Sequence, residues 1–339
     1  MQILQIIALL DKYTAKHVVL LCHHNADPDA ICAAFALARL LEHLRPQISI
    51  EIGAAQGPSR LSKLLLEVLP IELTKRPDIE KADIIILLDT NTIQQLDEWA
   101  ELVKAKVSSE SALIVIDHHA SHPETEKLAT LCIADENASS TCEIVYKFFK
   151  ELNIPLGENE AKALFLGIAF DTRHFILAGS TTLKTVAELI DVGINVQETL
   201  ALLSLPMDFS ERIARLKASQ RVKLLKINEW IIAVSHVSAF QASAARALIG
   251  LGADVAIVAG QRGDAVRISL RSNRDFYKKT GVHLGREVAK PLGEYFHGMG
   301  GGHSVAAGMN GIGDMEACLK RCVRILKERL KATDDSTLI

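Results

Sequence analysis

Five short apolar runs, separated by helix-patterned segments, constrain this chain more than any other feature. They are "HVVLLC" (17–22), "ISIEI" (48–52), "ADIIILLD" (82–89), "ALIVID" (112–117) and "ATLCIAD" (129–135). A strand wetted on one face alternates apolar and polar residues. These runs are nearly continuous in apolar residues, as strands covered on both faces are. Helix-like stretches lie between them at about 29–45, 60–68 and 92–106. The alternation predicts an α/β domain with a mainly parallel sheet.

The rest of the chain reads differently. With 339 residues it is too long for one ordinary core, and two domains are expected. From about 158 to 226 the pattern is mostly helical, and "DFSERIARLKASQRVKLLK" (208–226) is polar enough for a connecting helix. Strands resume at 229–237, 253–260 and 265–272, followed by a glycine-rich segment and a closing helix over 314–331. The expected division is a first domain over 1–190, a helical linker over 191–228 and a smaller α/β domain over 229–339. Locally, the first residues predict an amphipathic helix with Ile3, Leu4, Ile7 and Leu10 on one face. Ser140 and Glu143 have the spacing of a capping box. The tail "KATDDSTLI" is expected to fray.

Composition excludes several functional classes. Hydrophobic residues make up 49% and charged residues 23%, the profile of a soluble globular protein. A net charge of −3 gives no general basic field for gripping long duplex nucleic acid. No apolar run reaches the roughly 18 residues needed to span a membrane. The N-terminus lacks the basic start and cleavage site of a secretory signal, so a cytoplasmic location is expected. Six scattered cysteines, none in a C-x-x-C, read as free thiols of a reducing compartment.

The apolar runs end on groups that dislike burial. The first leads into "CHHNADPDA", with His23, His24, Asp27 and Asp29; the third ends at Asp89; the fourth ends at Asp117, His118 and His119. A later helical segment, "LGIAFDTRHF", supplies Asp171. A lone aspartate after a strand is usually a turn or cap residue, and a lone histidine is usually an ordinary hydrogen-bonding group. Here the set gathers at one edge, because ligands of open α/β sheets bind beyond the carboxyl ends of the strands. Crowded carboxylates repel one another and raise their own pKa values unless a cation intervenes. A nitrogen and oxygen donor set without thiolate favours manganese or magnesium over structural zinc. Two such ions about 3.5–4 Å apart suit in-line hydrolysis of a phosphate ester.

These motifs carry a family resemblance. "HHNADPDA", "LLDT", "DHH" and "FDT" occur in the order found in the DHH phosphoesterase superfamily, and "SLRSN" (269–273) with "GGGHSVAAG" (300–308) resembles its first-type associated domain. The resemblance implies two metals, Mn2+ with Mg2+ as the substitute. His23, Asp27 and Asp89 would hold one; Asp29, Asp89, His118 and Asp171 would hold the other. His119 would face the phosphate as a hydrogen-bond or proton donor, with Asp117 behind it orienting an imidazole. The first motif departs from the family's H-x-x-P-D-x-D: Ala26 stands in place of its proline, Pro28 separates the acids, and Cys32 and Ala33 follow. Register favours His23 over His24 as the ligand. Arg173 replaces the glycine of D-T-G, either as a phosphate or base contact or as a salt-bridge partner.

In the second domain, glycines let backbone approach an anion and present N–H groups. Arg271 can grip phosphate with both arms of its guanidinium. The resemblance implies that Arg271, Ser272, Gly300, Gly301, Gly302 and His303 bind the far end of a substrate in a groove that admits only short ligands. Within the family, this layout resembles the nanoRNases. Expected substrates are therefore short RNA or DNA oligonucleotides, linear dinucleotides, adenosine 3′,5′-bisphosphate or cyclic di-AMP. A RecJ-like single-strand exonuclease is the alternative, opposed by the 5% aromatic content and the negative charge. A non-catalytic nucleotide-binding protein should have lost metal ligands, and all six are present. Relatives commonly pair through the first domain, so a homodimer is expected.

Overall fold

Each of the five apolar runs forms a strand, and the five align in parallel. A computed structural model describes residues 1–204 and 207–331. By internal contacts the chain divides into two units, Met1–Leu205 and Pro206–Ile339. In the first unit the strands are β1 (His17–Cys22), β2 (Ser49–Ala54), β3 (Ile84–Leu88), β4 (Ala112–Asp117) and β5 (Leu131–Ala134). Their order is β2-β1-β3-β4-β5, and every pair is parallel. The chain runs outward from β1 to β2, then crosses back to β3 on the other side. That reversal opens a crevice beyond the carboxyl ends of β1 and β3.

Alternate strand residues feed two cores. Val18, Leu20, Ile84, Ile86, Ile114 and Ile116 face α1 (Gln2–Lys12) and α2 (Pro28–Leu44). Val19, Leu21, Ile85, Leu87, Leu113 and Val115 face the opposite layer. Burying each such side chain contributes roughly 1.5–3 kcal/mol, which explains strands with no polar alternation. On the first face α2 is the hub. Asp27 caps it, Pro28 opens it, and small residues at Ala30, Ala33, Ala34 and Ala36 let neighbours come close. The remaining helices of the unit are α3 (Arg60–Leu66), α4 (Ala100–Ser109), α5 (Pro123–Leu128), α6 (Thr141–Leu152), α7 (Glu158–Asp171), α8 (Ser180–Asp191) and α9 (Val196–Ala201). Of these, α6 and α7 pack on α2.

Several local expectations change. In α1 the buried face is Ile3, Ile6 and Leu10, whereas Leu4 is 45% exposed. The stripe follows the i, i+3, i+7 spacing, which excludes Leu4. Ser140 does cap α6 by accepting from Glu143 N at 3.1 Å. The Glu143 carboxylate turns instead to Ser139 N, Ser139 Oγ and Thr182 Oγ1. The helix expected over 92–106 is a 3-10 turn over Ile93–Trp99, bent at Asp97 (φ 50°), followed by α4. The segment expected as a linker divides between the units: Val196, Leu200 and Leu203 join the first core, while α10 (Phe209–Gln220) packs on the second unit.

The second unit carries β6 (Lys223–Ile227), β7 (Trp230–His236), α11 (Gln241–Gly250), β8 (Val255–Arg262), β9 (Ala265–Ser272), α12 (Arg274–Thr280), a π-helical turn (Leu284–Ala289), α13 (Lys290–Tyr295), β10 (Met299–Gly302), β11 (Ala306–Ile312) and α14 (Met315–Arg329). Its sheet order is β10-β11-β9-β8-β7-β6, mixed, with only β7 and β8 parallel. β6 begins within the span read as helix. The glycine-rich segment is an edge hairpin. The expected fraying of the tail concerns residues that lie, apart from Lys331, outside the described range.

Candidate metal centre

The acids and histidines that follow β1, β3 and β4 come together at the crevice. After β1, Asn25 takes a left-handed turn (φ 54°), and Asp27 then caps α2 by accepting from Ala30 N at 3.1 Å. Asp29 sits in the first turn of α2 and is fully buried. Its carboxylate accepts from Thr141 N (2.6 Å) and Cys142 N (3.0 Å) at the start of α6. Asp89 follows β3 in a left-handed conformation (φ 52°), is 6% exposed, and accepts from Thr141 Oγ1 at 3.1 Å. Asp117 ends β4, and Asp171 ends α7.

Three groups result, each with donor atoms within 4.8 Å of one another: His23, Asp27 and Asp89; Asp29, His118 and Asp171; and Asp89, Asp117, His118 and His119. His23 Nε2 lies 4.0 Å from Asp27 Oδ1 and 3.7 Å from Asp89 Oδ2. His118 Nε2 lies 3.0 Å from Asp171 Oδ2 and 3.5 Å from Asp89 Oδ1. Asp89 thus belongs to the first and third groups and reaches the second through His118. His24 points elsewhere, to the Gln95 carbonyl at 3.2 Å. His119 Nδ1 and its backbone N–H both lie 2.8 Å from Asp117 Oδ1, and its ring is 55% exposed.

The electrostatics are unfavourable for the protein alone. Burial and neighbouring acids push Asp29 well above the usual carboxylate range. Asp89 is pushed up to about 7 by burial and by Asp27, Asp117 and Asp171. Asp27 is raised too, mainly by burial. For His118, burial pulls the pKa down, but the Asp171 and Asp89 carboxylates more than offset it. Asp117 Oδ2 is buried without a hydrogen-bond partner among the described residues, and His118 Nε2 is buried against the Asp171 carboxylate at 3.0 Å. Buried acids crowded around an orphaned donor atom fit divalent cations, which would turn the repulsion into attraction. The nearby thiols do not belong to the donor set. Burial, then adjacent carboxylates, raise Cys22, Cys32 and Cys142 well above their ordinary values, so they stay neutral.

Two supporting residues were not singled out from sequence. Thr141 orients Asp89 and, through its N–H, Asp29. Gly167 on α7 leaves room behind Asp29: a Cβ there would lie 2.2 Å from Cys142 Sγ and 2.8 Å from Asp29 Oδ1. The first had a signal, since it follows the helix cap Ser140 and helix starts bind carboxylates. Beyond Asp171, Arg173, His174 and Phe175 are left-handed in succession (φ 52°, 56° and 67°). Phe175 is anchored edge-on to Phe165 at 5.2 Å, while Arg173 and His174 are exposed. No ion pair of Arg173 occurs among the described residues.

In the second unit, Arg271 on β9 is half-buried, and among the described residues its guanidinium hydrogen-bonds only the Leu270 carbonyl, at 2.9 Å. Ser272 Oγ is buried without a partner. The three glycines of β10 differ. A Cβ on Gly300 would lie 1.8 Å from the Ala289 carbonyl, and one on Gly302 2.5 Å from the Ala306 carbonyl. Gly301 has nothing within 4 Å. Only Gly301 therefore faces open space, together with the adjacent Gly308, whose Cβ would meet nothing nearer than 3.5 Å. His303 is exposed just beyond.

Residues 17–168 match the family model described as "DHH family, N-terminal domain". An uncharacterised protein of Methanocaldococcus jannaschii is 38% identical over 311 residues, 89% of each chain. The chain belongs to the DHH family. It is a phosphoesterase of that family and so a hydrolase of phosphate ester or anhydride bonds. A Streptococcus mutans protein named as a probable bifunctional oligoribonuclease and PAP phosphatase is 27% identical, over 62% of this chain and 63% of its own. An exopolyphosphatase-related protein from Bacteroides fragilis shares the fold, with a TM-score of 0.57 at 20% identity over 96% of each chain.

Proposed function

We propose that this DHH protein is a two-metal phosphodiesterase that hydrolyses short oligonucleotides and linear dinucleotides, with adenosine 3′,5′-bisphosphate or cyclic di-AMP as further substrates. One observation carries the reading: a buried carboxylate, Asp89, shared between two sets of donors at the switch point of a parallel sheet. His23, Asp27 and Asp89 would hold one Mn2+; Asp29, Asp89, His118 and Asp171 would hold the other, with Mg2+ able to substitute. Bound divalent cations supply positive charge to a phosphoryl group and acidify coordinated water.

The chain's own residues do the rest. Thr141 N, Thr141 Oγ1 and Cys142 N fix Asp29 and Asp89, so both carboxylates are placed before anything binds. Asp117 receives the Nδ1 proton of His119, which leaves Nε2 as the outward-facing atom. The Asp117 hydrogen bond raises the His119 pKa to about 9. A protonated Nε2 can donate to a phosphoryl oxygen or to the leaving alkoxide. In the second unit, an unpaired Arg271, His303 and the bare backbone at Gly301 and Gly308 suit a terminal phosphate or base. The names of relatives support the substrate class: oligoribonuclease and PAP phosphatase, and cyclic-di-AMP phosphodiesterase.

The test is side-by-side turnover with Mn2+. The panel holds a 5′-phosphorylated RNA dinucleotide, a decamer, a longer single strand, cyclic di-AMP and adenosine 3′,5′-bisphosphate. The dinucleotide is expected to turn over fastest. Equal or faster cleavage of the long strand would replace this reading with a RecJ-like exonuclease.

A further inference from the structure

The second unit has a groove that the phosphoesterase chemistry does not use. α14 packs over β8, β9 and the π-helical turn, and beside it the β6–β7 hairpin leaves a cavity of about 730 Å³. Leu225 and Val234 on the strands and Met315, Leu319 and Val323 on α14 form its apolar floor. The three α14 residues recur every fourth position, so they make one stripe along the helix. Arg221, Lys223, Lys320, Arg324 and Lys327 rim it, with Glu316 the one acid. Lys223 meets Glu316 at 3.5 Å and Arg324 meets Glu328 at 3.1 Å, both on exposed surface. Arg221, Lys320 and Lys327 form no ion pair among the described residues. Such a concentration of cations stands out in a chain of net charge −3.

Sheets of this kind are covered by a layer of helices, and here the helix layer stops at α14. From Met315 to Lys327 the open flank of α14 rises about 18 Å, room for roughly three turns of a neighbour. A helix lying beside α14 would set an apolar stripe on the half-buried Leu225, Met315 and Val323, with Val234 and Leu319 buried beneath them. Its flanking positions would meet Lys320 and Lys327 on one side and Arg221 on the other. None of the lining residues is Phe, Tyr or Trp, and no glycine-rich backbone faces the cavity, so the groove lacks the stacking platform of a single-strand site. We infer that this groove is a docking site for an amphipathic helix with acidic flanks, presented by a partner protein.

The experiment uses the full chain and a fluorescein-labelled peptide of about four helical turns, leucine on one face and glutamate on its flanks. A matched peptide carries lysine in place of glutamate. Fluorescence anisotropy at low salt is expected to show the glutamate peptide binding at least tenfold tighter than the lysine one. Lys320→Glu with Lys327→Glu should weaken it at least tenfold, with an unchanged thermal melt and unchanged turnover. Val323→Glu should weaken it without altering the rim. Equal binding of the two peptides, or a double variant that binds as wild type does, overturns the proposal. A single-stranded RNA bound as tightly, and lost in the same double variant, would make the groove a nucleic-acid site instead. Self-association of the wild type that the double variant abolishes would name a second copy as the occupant, and overturn it equally.

Discussion

Replacing Asp89 with asparagine separates the cost of the centre from its function. Asp89 is almost fully buried among other acids, which raises its carboxyl from 3.8 to about 7. Forcing such a group to ionise costs about 4 kcal/mol. Asparagine keeps the shape, can still accept from Thr141 Oγ1, and tolerates the left-handed backbone (φ 52°) at this position. It removes the charge and exchanges one acceptor oxygen for an NH2 donor. In excess chelator at pH 8, Asp89→Asn is therefore expected to be more stable than wild type by up to about 4 kcal/mol. At 2–4 °C per kcal/mol in a unit of this size, the melting temperature should rise by roughly 10 °C. The sign fixes the pH profile. The folded pKa lies above the unfolded one, so the wild-type disadvantage is absent below about pH 4 and grows as pH rises towards 7. The two melting curves should converge on acidification. With Mn2+ the order inverts once both ions bind: each at a hundredfold excess over its Kd returns about 2.7 kcal/mol to the protein that binds it, about 5.4 kcal/mol for the pair. Calorimetry of both proteins, at several pH values with chelator or Mn2+, reads all of this. An asparagine variant less stable than wild type in chelator at pH 8, or parallel profiles from pH 4 to 8, would refute the reasoning.

Other substitutions probe single links. His118→Ala is expected to abolish hydrolysis with Mn2+ supplied while circular dichroism and melting in chelator stay near wild type; normal turnover would remove His118 from the centre. Arg271→Ala should raise KM for a phosphorylated dinucleotide at least tenfold with kcat little changed, and an unchanged KM would remove it from substrate binding. Gly167→Ala forces a methyl against Cys142 Sγ and Asp29 Oδ1 and should cost about 1–3 kcal/mol and most of the turnover. Cys142→Ala in the same chain should restore part of the stability, because it removes the nearest obstacle. Gly300→Ala drives a methyl into the Ala289 carbonyl and should destabilise the second unit, whereas Gly301→Ala should melt as wild type does and act only on KM. Equal melting of the two glycine variants would show that β10 does not pack as described.

The strands were legible because burial on both faces leaves no other pattern: β1 and β4 fall on the expected residues, and the others differ by a few residues at their ends. The gathering of donors was legible for the same reason, since a parallel sheet brings its carboxyl ends to one edge. The sequence could not show what holds the donors still. Asp29 is held by N–H groups at the start of α6, more than a hundred residues away, and nothing local announces that contact. The glycines of β10 misled in another way. A run of three suggests one role, yet a strand sends alternate residues to opposite faces, so Gly300 and Gly302 serve close packing and only Gly301 stays open. β6 was lost in a polar helical pattern because an edge strand with Lys223 and Lys226 has the composition of a wetted helix.

Nearly everything at the centre opposes folding. Asp29 and Asp89 are buried with raised pKa values, and Arg173, His174 and Phe175 hold left-handed backbone that costs roughly 1–2 kcal/mol at each residue. Such features persist only where the surroundings over-determine them. Here the surroundings are the apolar sheet and the contact of α2 with α6 and α7, where Gly167 and the alanines of α2 allow close approach. The donors therefore sit at the ends of elements whose stability comes from residues on the other side of the same strands and helices. A cavity made under α7, as by Phe165→Ala (Phe165 packs against Phe175 just beyond Asp171), removes about 3–5 kcal/mol of support from the helix that carries Asp171 at its end. Loosened carboxylates would move apart before the sheet melted. Metal affinity should then fall at temperatures where the far-ultraviolet spectrum is still that of the folded protein, an order of loss that a uniformly rigid first unit would not show.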